Sequence, residues 1–489
     1  MFRFRFPRNA PVACALAVLL AGCGSRDAQT GSAMKDQPPA STRFALHPAW
    51  TRSIRPNADS VAAYLPNVRL PSGSHASMIY LLAANNSSNC NTGNPVTRAT
   101  LYAMSAASGA IRWTRSTTGP SRCSTAAPAA SGSSVYAPGL DGRVHRYAAG
   151  SGREYRGHGW PRWYTLMPDV EKVSANLVIA HGFLYVTTSG FIGDQGHYQG
   201  HLVAINLHNG TSHVFNSLCS NVKSLLGPTP GRSNYCGYVE SGLFGRGQAT
   251  IDPAGNAVYI VSGNGPWDGK TNWGDTVLKL NPDGTHLLDA FTPTNQATLA
   301  ADDADLGSTG PALLPAIKQG SHTYHLLVQG GKGPACDSCS GVALRLLNRD
   351  NLSGQHGPGH LGGDLQDLQT PGGCEVLTAP AVWKSSGHIW VFYANDCGLA
   401  AYRLSSPSLG RFQLSRIWSS PTGGTTPVMS GGVLYVAGGG RLTAYRPTTG
   451  AIRAQVSIGP VHWEYPRVAG HRVFISDETG AVRAFTVSG

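Results

Sequence analysis

The chain has 489 residues and a net charge of +12, three units of which sit in Arg3, Arg5 and Arg8 at its start. The other basic residues are mostly arginine and are scattered, with no basic run interleaved with aromatics. That argues against a nucleic-acid partner and leaves solubility, or attraction to an anionic surface, as their role. Only 13 % of residues are charged and 61 are glycine; with little helical period anywhere, an all-α fold is excluded.

In chain order, residues 1–22 read as an export signal: a basic head, then a short apolar run over residues 11–20, too short to span a bilayer. The segment ends Leu20-Ala21-Gly22-Cys23, which resembles the bacterial lipoprotein signal, whose cysteine is lipid-modified after cleavage. The resemblance implies a membrane tether through acyl chains on Cys23 rather than a spanning helix. It further implies the outer membrane, facing the periplasm, because Gly24 stands where an Asp favours retention in the inner one. Residues 23–43 are polar and read as a flexible tether, leaving 44–489 as the folded domain.

From there one phrase recurs. Residues 101–113 read LYAMSAASGAIRW and residues 442–454 read LTAYRPTTGAIRA, with looser copies at 202–214 (LVAINLHNGTSHV) and 144–156 (VHRYAAGSGREYR). Strand, glycine-closed turn and strand make a hairpin, which cannot bury its apolar face alone, so the copies must pack on one another. Apolar runs rich in Val, Ile and Tyr mark further strands at 78–82, 134–137, 183–187, 257–261, 325–329, 389–393, 433–437 and 473–476. Eight copies of a multi-strand unit predict an all-β propeller of four-stranded antiparallel blades; whether seven or eight are counted depends on the weak copies around Leu344 and Ala401. The last copy stops at 482–488 without its final strand, and Ala49-Trp50-Thr51-Arg52-Ser53 stands alone near the start as such a strand. Closure through Trp50 would pair an otherwise open edge.

Of the ten cysteines, Cys14 leaves with the signal and Cys23 carries lipid. The remaining eight, in an oxidising compartment, read as disulfides. Connectivity does not follow from sequence, but pairing neighbours (Cys90–Cys123, Cys219–Cys236, Cys336–Cys339 and Cys374–Cys397) needs the fewest long loops. Cys336 and Cys339 have no second CxxC for zinc, no following His for haem attachment and no βαβ context, so a loop staple is the expectation.

The phrase, a strand and glycine-closed turn followed by a strand ending in Trp, resembles the repeat of the PQQ-like β-propeller family. That family includes quinoprotein dehydrogenases and the propeller lipoprotein of the outer-membrane β-barrel assembly machinery. Residues 263–280, 303–308 and 346–352 are similar to stretches of bacterial PQQ-repeat proteins. The resemblance implies two functions, a dehydrogenase or a scaffold. A quinoprotein site needs cationic and hydrogen-bonding side chains, a flat aromatic floor, calcium and a catalytic carboxylate. Alcohol-oxidising members also carry a disulfide between adjacent cysteines, and this chain has no Cys-Cys pair. Trp267 and Trp273 are candidate floors, with packing between blades the blander role. Asp302, Asp303 and Asp305 lack the spacing and distal Glu of a calcium loop.

Each blade's first strand begins near one mouth of the central channel, so comparable positions converge. They offer Arg122, Lys172, Gln248, Asp305, Glu375 and His462 as a candidate pocket for a small ligand or an envelope protein; the alternative is a wet channel of mutually neutralising charges. No GxSxG or HExxH motif occurs, and Gly269-Lys270-Thr271 lacks a P-loop's upstream glycine. The expectation is a lipid-anchored, non-catalytic scaffold without cofactor or metal. Against it stand a PQQ-and-calcium oxidoreductase acting on alcohols or sugars, and a glycan binder suggested by Trp160, Trp163 and Tyr164.

Overall fold

A computed structural model describes residues 44–84, 96–245 and 249–489. The export segment, Cys23, the tether, Cys90 and Gln248 lie outside these residues. The chain forms eight four-stranded antiparallel sheets, an eight-bladed propeller. Blade 1 takes Ala63–Arg69, His75–Ala83, Ala99–Ser105 and Ile111–Thr117; blade 2 takes Ala129–Ser131, Ser134–Pro138, Arg143–Ala148 and Arg162–Trp163. Blade 3 is Val178–Ala180, Phe183–Thr187, His201–Asn206 and Ser212–Asn216, and blade 4 is Thr250–Ile251, Val258–Val261, Val277–Leu280 and Leu287–Phe291. Blade 5 follows with Ala312–Leu313, Leu326–Gln329, Ala343–Asn348 and Asp364–Gln369, and blade 6 with Ala381–Ser385, His388–Asn395, Gly398–Ser408 and Arg411–Ser420. Blade 7 is Val428–Ser430, Val433–Gly438, Arg441–Tyr445 and Ile452–Ser457. Blade 8 joins Arg467–Ala469, Arg472–Ser476 and Ala481–Ser488 to the N-terminal strand Ala45–Ser53.

All eight apolar runs expected from the sequence fall in second strands. They are unbroken because each blade is sandwiched between two others, so both faces of its middle strands are buried; Val258, Tyr259, Ile260 and Val261 are all below 4 % exposed. The N-terminal strand pairs Trp50 with Ala484 and Ser53 with Ala481, completing blade 8 as the missing strand required. Across the seam, Ile79, Leu81 and Met104 of blade 1 pack with Phe474 and Val482 of blade 8.

The phrase explains the packing between blades. Trp50, in the outer strand of blade 8, donates its indole N–H to Ala106 O at 3.1 Å and lies on Gly109 in the turn of blade 1, where a Cβ would stand 2.5 Å from the ring. Trp113 of blade 1 repeats this on Ala149 O at 2.9 Å and Gly152 of blade 2. Trp418 of blade 6 repeats it on Pro447 O at 2.7 Å and Gly450 of blade 7. All three glycines have positive φ, so the turn and the ring both demand glycine. In blade 2 the copy at 144–156 does not make its second strand. A Tyr147–Glu154 bridge forms, the Glu154 carboxylate lies 2.7 Å from His145, and the outer strand is Arg162–Trp163 instead.

Antiparallel blades divide the loops by face. Connections from second to third strands, and from one blade to the next, leave by the same end. The glycine turns of the phrase leave by the other. The first strands of neighbouring blades touch around the axis. Side chains from several blade connections meet: Val61, Ala127, Tyr465 and Val428 cluster together, Asn176 donates to the Tyr465 hydroxyl at 2.8 Å, and Trp463 packs on Leu377. Among the described residues no helix is long and apolar enough to cross a membrane.

Candidate binding site

The mouth loops are held from below by buried polar struts. Glu171 and Lys172 pair with Gly190 and Ser189 in a short ribbon. Glu171, fully buried, accepts from Gln199 N at 3.0 Å and from the Thr165 hydroxyl. Its other neighbour is His201 Nε2 at 3.0 Å, and His201 Nδ1 faces Asn216 Oδ1 at 2.8 Å. Burial opposes the charged form of His201, yet Glu171 more than offsets it and raises the imidazole above its ordinary range. This strut fixes both the ribbon and the loop that follows it, residues 191–200.

Above it, blades 3 to 5 bring charges together. Lys332 Nζ stands 2.5 Å from Asp305 Oδ2 and 3.7 Å from Asp303 Oδ1. Asp305 Oδ1 accepts Asn264 N at 2.9 Å, and Asn264 Nδ2 donates to Asp303 at 3.0 Å. Burial works against the Lys332 ammonium, but Asp305, then Asp303 and Glu375, hold it above its usual range. Asp194 accepts the Tyr198 phenol, and Glu240 N donates to Tyr198 O at 2.9 Å. Asp194, Glu240 and Glu375 all titrate above the usual carboxylate range, through burial first and then the like charges of Asp303 and Asp305. The half-buried Phe244 ring lies against Gly263, beside Asp305.

The described residues of the sequence-expected pocket, Arg122, Lys172, Asp305, Glu375 and His462, sit on mouth-face connections between blades, but in separate company. Asp305 and Glu375 share the field of Lys332. Arg122 donates to Gln195 Oε1 at 2.9 Å and lies over Phe191. Lys172, 4 % exposed, donates to the Ser174 hydroxyl at 2.5 Å. His462 is buried on Asp59 Oδ2 at 3.0 Å and against Trp463. Next to it, burial and Asp59 raise the Glu464 carboxyl well above its ordinary value. Lys332, Asn264, Asp194 and Glu240 were missed. Lys332, Asn264 and Asp194 lie between second and third strands, outside the repeat; the signal available was topological, since those loops open on the same face as the blade connections. Of the aromatic trio, Trp160 and Tyr164 are buried, and exposed Trp163 is covered by the Arg143 guanidinium 3.9 Å from its ring, so no aromatic platform forms.

Seven described cysteines are disulfide-bonded, with Cys219–Cys236, Cys336–Cys339 and Cys374–Cys397 joined as the neighbour pairing predicts; the Cys90 side of the fourth pair lies outside the described residues.

The sequence model of the family "Outer membrane protein assembly factor BamB" matches residues 404–489. Solved structures share the fold over most of the chain. The quinohemoprotein alcohol dehydrogenase ADHIIG of Pseudomonas putida HK5 is 11 % identical over 90 % of this chain and 76 % of its own, with a TM-score of 0.58. The quinohemoprotein alcohol dehydrogenase of Comamonas testosteroni gives 14 %, 90 %, 76 % and 0.57. The fold is that of a PQQ-like β-propeller. BamB from Moraxella catarrhalis gives 12 % identity over 90 % of this chain and 99 % of its own, with a TM-score of 0.48. No curated protein matches the sequence.

The mouth of this PQQ-like propeller does not fit a calcium–quinone pair. A carboxylate, a lysine and a ring do stand together at Asp305, Lys332 and Phe244. The neighbourhood is otherwise acidic, and a planar polyanion would meet Asp194, Glu240, Asp303 and Glu375 around one lysine already paired. Among the described residues no three His, Cys, Asp or Glu side chains converge to hold the metal ion that would neutralise them.

Proposed function

We propose that this PQQ-like propeller is a non-catalytic binding or assembly scaffold of the bacterial envelope. It is tethered by lipid on Cys23, faces the periplasm from the outer membrane, and engages an envelope protein at its mouth. The observation that carries the reading is the placement of the covalent staples: every described cysteine lies in a mouth-face loop, and none lies in the turns of the opposite face. Loops fixed before a partner arrives lose less entropy on binding. Asp305 is engaged by Lys332 and Asn264, so it does not stand as an open general base. The family match over residues 404–489 supports an envelope partner.

A second reading, an oxidoreductase descended from quinoproteins, draws support from Asp305, Lys332 and Phe244 standing together. Adding PQQ and calcium to purified protein, and following quinone absorbance and dye reduction with alcohols and sugars, separates the two. The scaffold reading expects neither signal. A stoichiometric quinone complex that reduces the dye overturns it.

A further inference from the structure

The face opposite the mouth has a charge pattern of its own, and the inference from it rests on the proposed lipid tether at Cys23. The N-terminal strand enters blade 8 on that face. Ala45 pairs with Ser488, at the end of the sheet away from the 477–480 connection that opens on the mouth. Phe44, just before it, is buried 6.5 Å from the Tyr435 ring of blade 7, with the Arg453 guanidinium 4.3 Å from its own ring. The chain therefore leads back to Cys23 from the glycine-turn face, at the outer edge of blade 8. Cations gather around that point. Arg69 and Arg112 stand at turn-face strand ends in blade 1, Lys384 and Arg411 in blade 6, and Arg446 in a turn of blade 7. All five are exposed, and no ion pair joins any of them to a described residue. Among the described residues, Glu154 is the one acid in the turn-face connections of blades 6, 7, 8, 1 and 2, and His145 and Arg156 engage it. The turn-face acids Asp252, Asp283 and Asp350 lie across the ring, in blades 4 and 5.

The repeated phrase sets apolar groups beside these cations. Its Gly-Ala-Ile-Arg run occurs at 109–112 and at 450–453, in blades 1 and 7, the two that flank blade 8. Ile111 and Ile452 are 42 % and 58 % exposed. Leu409, in the blade 6 turn before Arg411, is 63 % exposed. An isolated exposed aliphatic residue is ordinary. These three recur at one end of the blades around the chain's entry, each within two residues of a cation. That pairing suits a bilayer interface, where the aliphatic group enters the headgroup boundary and the cation meets lipid phosphate. A membrane surface can meet separate tips of one face together, and lipid on Cys23 brings such a surface to the edge where they cluster. We propose that the glycine-turn face of blades 6, 7, 8, 1 and 2 rests on the anionic surface of the bilayer that holds the Cys23 lipid. Ile111, Ile452 and Leu409 sit among the headgroups, and Arg112 and Arg446 lie on phosphates. The mouth then points away from that membrane, towards the protein it engages.

The test is co-sedimentation of the full mature chain, carrying Cys23→Ser so that no acyl chain is added, with two kinds of vesicle. One holds phosphatidylglycerol and phosphatidylethanolamine, the other phosphatidylcholine alone. The chain should pellet with the anionic vesicles, less so as salt rises, and stay in solution with the others. Arg112→Gln with Arg446→Gln should weaken binding by at least about tenfold. Arg98→Gln with Arg232→Gln, which neutralises two exposed cations of mouth-face connections, should leave it unchanged. Ile111→Ser with Ile452→Ser should weaken it by roughly fivefold. Melting curves of each variant establish that the fold persists. Absence of binding to the anionic vesicles, or equal losses from the two arginine pairs, overturns the proposal. An unaltered isoleucine variant overturns the seating of the aliphatic tips. Mass spectrometry of Cys23 in the membrane-extracted protein separates this inference from the reading beneath it. If Cys23 is acylated and no vesicle binds, the inference falls and the tethered scaffold stands. If the vesicles bind and Cys23 is bare, the tether falls and the turn face stands as a membrane surface.

Discussion

Glu171 and Glu240 are both carboxylates near the mouth, and their surroundings assign them opposite effects on stability. Glu171 is fully buried against His201, so removing its charge leaves an imidazolium without a counter-charge. Glu171→Gln should cost roughly 3 kcal/mol in denaturant unfolding near pH 6. Because the folded state raises the His201 pKa, the pair's contribution is complete below the ordinary histidine value and fades as pH rises through the raised one. The penalty of the variant should shrink over that interval. Glu240 is also raised, by burial and by Asp194, Asp305 and Asp303, but for an acid the sign reverses. The folded state binds the extra proton, so stability falls as pH climbs from the ordinary carboxylate value through the raised one. Glu240→Gln should therefore raise the melting temperature at pH 7 and leave it unchanged near pH 3. A rim that lowers the stability of its own fold is what a binding surface, rather than a structural one, would retain.

Elements carry the fold, and most of them were legible in the sequence. The second strands of all eight blades are β-branched and aromatic runs whose burial on both faces leaves no polar interruption. Trp50 was readable as the closing strand because blade 8 lacked one. The outer strand of blade 2 was not readable, since the copy of the phrase at 144–156 looks intact while the strand itself, Arg162–Trp163, comes from the residues that follow it. Nor were Lys332, Asp194 and Asn264, which sit in loops of unequal length with no period to reveal them, while Asp305 and Glu375 were found because blade connections recur at comparable positions. The tryptophan-on-glycine contact yields a sharp expectation: Trp113→Ala removes a buried ring and its bond to Ala149 O and should cost about 3–5 kcal/mol by chemical denaturation. The staples differ by the loop they close. Cys374 and Cys397 are 23 residues apart and Cys336 and Cys339 only 3. Replacing the first pair with serine should cost about 3 kcal/mol and the second about half as much, measured in the oxidised protein under the same denaturant. Equal losses would count against loop closure as their role.

At the scale of the whole molecule the ring has two unlike faces. One presents the glycine turns of the repeat, three of which seat the tryptophan of a neighbouring blade. The other presents the disulfides, the paired charges and the acidic rim. The most direct test of the mouth as the functional face is site-specific photo-crosslinking in intact envelopes, with the reactive residue placed at Tyr238 on the rim or at Thr449 in an opposite-face turn. The account predicts a discrete protein adduct from Tyr238 and none from Thr449. An adduct from Thr449 alone would contradict it.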